Sequence, residues 1–209
     1  MNRPEDLAAL AARTAEIYQR NAARFDAERA RVLFERDWLE RFAALLPAGG
    51  SVLDVGCGAG EPLAAFIIER GHAVTGVDIA PAMIDRARAR FPAAVWTVGD
   101  MRTLDMGRTF DGILGWHSFF HLRPDEQRAT LPRFAAHLNP GGVLMITVGP
   151  AETEVVGRVG DDPIYHASLA PDEYRRILAA LGLRIVRFVP EDPSCDQASV
   201  LLARKRDGP

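Results

Sequence analysis

From Ser51 onward the apolar residues change period again and again. Short unbroken apolar runs alternate with longer stretches in which apolar positions recur every three or four residues. The runs at 51–55, 73–77, 94–98, 110–115 and 143–148 read as buried strands. Helical patterns follow the first strand as far as Arg70, then run from Pro81 to about Arg90 and from Pro124 to about Leu138. Both prolines stand where a helix tolerates them, in its first turn. Gly71 and the "NPGG" of 139–142 punctuate the alternation. Strand and helix in strict succession predict a parallel sheet covered by helices on both faces.

The two ends of the chain depart from this rhythm. Residues 5–46 read as two helices, with Leu7, Leu10, Ile17, Phe25, Leu33, Trp38 and Phe42 at roughly helical spacing and charges of alternating sign between them. Residues 149–168 keep neither period and read as an irregular segment overhanging the strand ends. Pro171 opens another helix, closed by Gly182, and strands follow at 183–190 and 198–204. Their connection, residues 191–197, is too short for a helical crossover, so these two strands should pair antiparallel.

The 209 residues, 48% hydrophobic and 25% charged, suffice for one sizeable core. A single domain is expected, with a helical lid over 1–46 and a core over 51–206. The net charge of -3 lacks the basic excess of a nucleic-acid binder, so no nucleic-acid partner is expected. No long apolar run and no leader pattern appears, which predicts no membrane partner and a cytoplasmic location. Two cysteines, Cys57 and Cys195, make no disulfide framework. Lys205 is the only lysine and sits in the charged run Arg204-Lys205-Arg206, which reads as solvated. Chemistry that needs a desolvated lysine is therefore set aside.

Candidate chemistry gathers at the strand ends. "VLDVGCGAGEP" (52–62) places Gly56, Gly58 and Gly60 directly after the first strand, where an α/β sheet binds its ligand. The dinucleotide fingerprint wants a further glycine where Glu61 stands, and a carboxylate there does not suit a pyrophosphate. Asp78 ends the second strand, 20 residues after Gly58, where a carboxylate can accept two ribose hydroxyls. Asp100 follows the third strand in "VGDM".

With "VTGVDIAPAMIDRAR", "FDGILGWHSFFHL" and "LNPGGVLMITV", these motifs resemble, in order and spacing, the class I S-adenosylmethionine-dependent methyltransferases. The resemblance runs from about Tyr18 to the C-terminal hairpin. It implies a Rossmann-like three-layer sandwich with a seven-stranded, mostly parallel sheet, order 3-2-1-4-5-7-6, strand 7 antiparallel, under an N-terminal helical lid. It implies S-adenosylmethionine as cofactor. Gly56, Cys57, Gly58 and Gly60 would border its methionine moiety, Asp78 its ribose, Ile79 and Met83 its adenine. Asp100 would bind the adenine amino group and Met101 would lie against the ring. Trp116 and His117 would border the sulfonium and the substrate, Tyr18 would close over the cofactor, and Asp54 would hold the loop.

The cofactor carries no phosphate, so Glu61 is tolerable beside it. Methyl transfer needs alignment and dryness, and a base where the acceptor must lose a proton. His121 and His166 are the candidate bases; His72 and His137, at helix ends, read as structural. His117 and His121 stand four apart, but no third ligand at a fitting spacing supports a metal site. Trp116, Phe119, Phe120 and Tyr165 point to a partly apolar small-molecule acceptor, with core packing the competing reading, above all for Phe119 and Phe120. "WHSF" lacks the Asn/Asp-Pro-Pro-Tyr signature of amide and nucleobase amino methyltransferases, and no lysine and aspartate cluster of the metal-dependent catechol type is present. A non-catalytic S-adenosylmethionine-binding regulator and a nicotinamide-dependent dehydrogenase are the alternatives. The protein is expected to be a monomer or homodimer, and the methylated atom is open.

Overall fold

Among the described residues three helices, not two, precede the first strand: α1 (Pro4–Ala11), α2 (Thr14–Glu28) and α3 (Arg36–Ala43). The structure is a computed structural model describing residues 4–29 and 32–208. Between α1 and α2 the Thr14 hydroxyl donates to the Ala11 carbonyl at 2.9 Å, across a break too short to disturb the apolar spacing. That is why the sequence pattern runs the two helices together.

The alternating part follows as the pattern predicts. It comprises β1 (Ser51–Val55), α4 (Leu63–Glu69), β2 (Ala73–Asp78), α5 (Pro81–Arg90), β3 (Val95–Val98), β4 (Phe110–Gly115), α6 (Pro124–Ala136) and β5 (Leu138–Val148). Next come β6 (Thr153–Val159), β7 (Asp162–Ser168), α7 (Pro171–Ala180), β8 (Leu183–Asp192) and β9 (Ala198–Lys205). The main sheet runs β3-β2-β1-β4-β5-β9-β8. Its first five strands are parallel, and β9 lies antiparallel to both β5 and β8. This is the expected order, with the last two strands numbered eight and nine.

Three readings need correction. The "NPGG" of 139–142 does not separate helix from strand but lies inside β5. Residues 149–168 are not irregular: β6 and β7 form a separate antiparallel hairpin. Lys205 is not solvated: its half-buried ammonium donates to the Ala135 and Leu138 carbonyls, each at 2.7 Å, and ties β9 to the end of α6.

Alternation along the strands sorts the core into two layers. Val52, Leu114, Met145 and Leu202 face α3, α4 and α5, where Leu39, Phe42, Phe66, Ile67 and Ile84 meet them. Leu53, Ile113, Leu144 and Leu201 face α6 and α7, where Leu131, Phe134, Tyr174 and Leu178 meet them. The sheet is thus held from both sides, and the carboxyl ends of β1, β2 and β4 open together at one edge.

A roof covers that edge. Ile17 of α2 packs fully buried with Val159 and Ile164 of the hairpin, and Ala11 of α1 packs with Tyr165 and Ala167. Polar contacts clasp the same two parts. The Arg20 guanidinium grips the Asp162 carboxylate, with Nε at 2.8 Å, and Arg24 reaches Asp161 at 2.8 Å. On its other flank α2 is anchored to α5, where Arg90 donates to both oxygens of the buried Asp26, at 2.7 and 2.5 Å. Among the described residues no helix is long and apolar enough to cross a membrane.

The apolar part of the roof carries most of its attachment, because exposed ion pairs stabilise little. Ile17→Ala should cost about 2–4 kcal/mol of local stability. Hydrogen exchange should then show lost protection in β6 and β7 with β1 and β4 nearly unchanged; uniform loss across the sheet would contradict a separately attached roof.

Candidate functional site

Between the strand ends and the roof lies a cavity of about 420 Å³. Its floor is the turn after β1. The Gly56 and Cys57 N–H groups both donate to the Val77 carbonyl, at 2.7 and 3.1 Å, which folds the loop over the end of β2. Gly56 has φ +74, and a Cβ on it would stand 2.2 Å from Ser118 Cβ. Ser118 in turn donates to the Val55 carbonyl at 2.7 Å. No other residue fits at 56, so loop and strand end come together only around that glycine.

Two carboxylates line the floor. Asp78 accepts from the Gly58 N–H at 2.9 Å and the Ala80 N–H at 2.8 Å, so it fixes the loop and the start of α5 at once. Burial pushes its pKa up, and the backbone N–H groups of Ala80, Gly58 and Ile79 oppose that rise. Asp54 was expected to hold the loop and does not. It is 4% exposed, lines the cavity, and accepts no hydrogen bond from any described residue. Burial and the neighbouring Asp78 raise its pKa to about 7. Strand alternation puts it on the face of Val52, whose neighbours are helices; at the strand end those helices give way to the cavity.

Beyond β3, Asp100 and Met101 also line the cavity. The Asp100 carboxylate is held by Arg102, through its backbone N–H at 2.9 Å and its guanidinium at 2.6 Å, and Arg102 also pairs with Glu126 at 2.8 Å. Ile79 and Met83 complete this end.

The opposite wall is aromatic. Ring contacts run without a gap from Phe25 through Tyr18, His121, His166, Phe120 and His117 to Trp116, with centroids 4.7–5.7 Å apart. His121 Nδ1 lies 2.9 Å from the Tyr165 carbonyl oxygen, which can only accept, so Nδ1 carries the proton. Nε2 then accepts from the Tyr18 hydroxyl at 2.8 Å. Burial lowers the His121 pKa to about 3, so the ring is neutral and its lone pair is taken. Burial also raises the Tyr18 pKa, so its hydroxyl stays protonated. His166 is half-buried with a lowered pKa, again from burial, and no described residue hydrogen-bonds to its ring. Space for that ring comes from Gly157 of β6, where a Cβ would stand 2.5 Å from His166 Cε1.

The structure brings Tyr18, Gly56, Cys57, Gly58, Asp78, Ile79, Met83, Asp100, Met101, Trp116, His117, Phe120, His121 and His166 to one cavity. Gly60 and Tyr165 are not there. Gly60, at φ +83, faces the Phe91 and Trp96 rings, 3.1 Å from where its Cβ would be, and serves packing. The Tyr165 side chain is fully buried on the far side of the hairpin and donates to Glu154; only its carbonyl serves the site. His137 is structural, with Nε2 accepting from the Met106 N–H at 3.0 Å. Sequence reasoning passed over Arg29, Arg158 and Gly157, which no local motif marks. Asp54 it weighed only as a loop anchor.

Comparison with known proteins agrees with this geometry. Residues 52–142 match the family model described as a methyltransferase domain. Residues of this chain are 37% identical over 102 positions to a dTDP-3-amino-3,4,6-trideoxy-alpha-D-glucopyranose N,N-dimethyltransferase of Streptomyces venezuelae. That match covers 48% of this chain and 43% of the relative, so the chain spans under half of the relative's length. The fold extends further. It aligns with the structure of CalS10, an amino pentose methyltransferase from Micromonospora echinaspora, at TM-score 0.69 and 26% identity, over 89% of this chain and 96% of that one. A 1,6-didemethyltoxoflavin-N1-methyltransferase from Burkholderia thailandensis aligns at TM-score 0.69 and 23% identity, over 99% of this chain and 92% of the other. The glycine loop, the strand-end acids and the sheet order agree with these matches: residues 52–142 form a methyltransferase domain, and the chain has the fold of the S-adenosylmethionine-dependent methyltransferases.

Proposed function

We propose that the cavity binds S-adenosylmethionine against its acidic floor and transfers the methyl group to a small-molecule acceptor held along the aromatic wall. The observation that carries this reading is Asp54. A carboxylate that lines the cavity beside a second carboxylate, with no hydrogen bond from any described residue and burial acting against its charge, favours a cation at its open face. The ammonium of a methionine moiety is such a cation. Asp78 keeps free lone pairs for the ribose hydroxyls, and Ile79, Met83 and Met101 offer an apolar seat for the adenine. The cavity volume is within the roughly 300–1,000 Å³ usual for small-molecule sites.

Bound there, the donor supplies a methyl carbon already activated by a sulfonium. The residues of this chain have to align, dry and deprotonate. Trp116 and Phe120 wall the site with apolar surface, and the roof keeps water out. The Tyr18 oxygen, its proton given to His121, can still accept a hydrogen bond from an acceptor N–H or O–H and aim it. His121 thus acts through Tyr18 as a positioning residue. His166, with a neutral ring and both nitrogens unengaged among the described residues, is the group that can take a proton from the acceptor. The aligned relatives act, by their names, on amino sugars and on a toxoflavin precursor, which supports a small polar acceptor with an apolar face.

Calorimetry with S-adenosylhomocysteine tests the donor site. Asp78→Ala should weaken binding at least tenfold, about 1.4 kcal/mol, and unchanged affinity in a folded variant would remove Asp78 from the site. Asp54→Asn should also weaken it while making the unliganded protein more stable. The sign follows from the raised pKa. The folded state holds the Asp54 proton up to about pH 7, the unfolded chain only to about pH 4, so ionisation progressively opposes folding between those values. The variant's advantage should therefore grow from pH 4 to 7 and reach at least about 1 kcal/mol at pH 8 by denaturant titration. Equal stability at pH 8 would mean that Asp54 is not desolvated. For any acceptor the wild type methylates, His166→Ala should slow transfer about a hundredfold or more, and an undiminished single-turnover rate would exclude it as the base.

A further inference from the structure

Beside the main cavity, under the end of α2, lies a smaller annex of about 290 Å³. The two share Phe25, Arg29, Arg158 and Val159, so the annex adjoins the main cavity, and Asp54 and Asp78 line only the latter. Three arginines face it against one acid, Glu28. Arg24 is spent on Glu28 and Asp161, each at 2.8 Å, and Arg29 on the buried Glu35 at 2.6 Å. Arg158 has no carboxylate partner among the described residues. One arm of its guanidinium donates to the Asp161 carbonyl at 2.8 Å, which steadies the fork, and its other N–H groups find no acceptor among those residues.

The joined space is therefore bipolar. Asp54 and Asp78 stand at one end and an uncompensated guanidinium at the other. An acceptor with a negative group is turned one way only, its charge at Arg158 and its other end toward Tyr18 and His166. A guanidinium fork matches the paired oxygens of a phosphoryl or carboxylate group. The annex is wide enough for such a group, and Phe25 lines both it and the main cavity.

We propose that the acceptor carries an anionic oxygen group, a phosphate ester or a carboxylate, and that Arg158 in this annex binds it. The proposal rests on the reading of the main cavity as the methyl-donor and acceptor site. Because Arg158 is exposed, the attraction should weaken with salt.

The test is calorimetry at low salt, using inorganic pyrophosphate and malonate as probes on protein saturated with S-adenosylhomocysteine. Wild type should bind at least one probe at a single site. Arg158→Gln should weaken that binding at least about fivefold, Arg158→Lys less, and Arg176→Gln on α7 not at all. Pyrophosphate binding alone assigns a phosphate ester, and malonate binding alone a carboxylate. If neither probe binds wild type, or Arg158→Gln binds as wild type does, the proposal is overturned. S-adenosylhomocysteine affinity is measured first. Its absence in wild type would defeat the methyl-donor reading, whereas the anion titration, repeated on unliganded protein, would still decide for or against Arg158.

Discussion

Two carboxylates at neighbouring strand ends, one of them buried and without a hydrogen bond, set the terms for the rest of this molecule. Burial raises the cost of charging both, Asp78 adds to it for Asp54, and no described residue hydrogen-bonds to Asp54. Asp78 is tolerable because the Gly58 and Ala80 N–H groups hold it. Asp54 has no such support. A protein keeps so costly a group where a ligand completes it. The proposed donor meets these terms, with its ammonium at Asp54, its ribose hydroxyls at Asp78 and its adenine at Met83 and Met101.

The fold exists around this pair. The sandwich of helices on both faces of the sheet fixes the strand ends, and the close approach at Gly56 and Ser118 fixes the loop between them. The roof has a different construction. It joins α1 and α2 to a hairpin about 140 residues later through a small apolar cluster, with the Asp161 and Asp162 contacts at its rim. The proposed site residues divide along this line. Asp54 and Asp78 belong to the sheet, Tyr18 and His166 to the roof, and His121, in the segment after β4, bonds to the roof through Tyr18 and the Tyr165 carbonyl. A roof opening would therefore separate the acceptor wall from the donor floor.

The strands, the helices between them and the closing antiparallel pair were legible because buried strands and amphipathic helices leave strong periodic signals, whereas the sheet order was implied only by the resemblance of the ordered motifs to a known family. The hairpin of β6 and β7 was not legible. Its first strand is exposed at Val155 and Val156 in succession, so the alternation that marks a half-buried strand is missing. Tyr165 misled for a related reason: an aromatic in a segment read as irregular gives no clue to which side of a strand it faces. Gly60 belonged to the motif but serves the packing of Phe91 and Trp96. Asp54 was weighed as a loop anchor because a carboxylate beside a glycine turn usually accepts its N–H groups; here Asp78 takes that part from the next strand. Arg158 lies in no motif, and its meaning comes only from the cavity it reaches.

The most direct test is the titration of the Asp54 carboxyl itself, followed by carbon NMR in the unliganded protein and with S-adenosylhomocysteine bound. The account predicts a midpoint near pH 7 without ligand, as burial beside Asp78 requires, and a fall well below that when the ligand's ammonium arrives. A carboxyl already ionised at pH 5 in the unliganded protein, or one whose titration the ligand leaves unmoved, would contradict it.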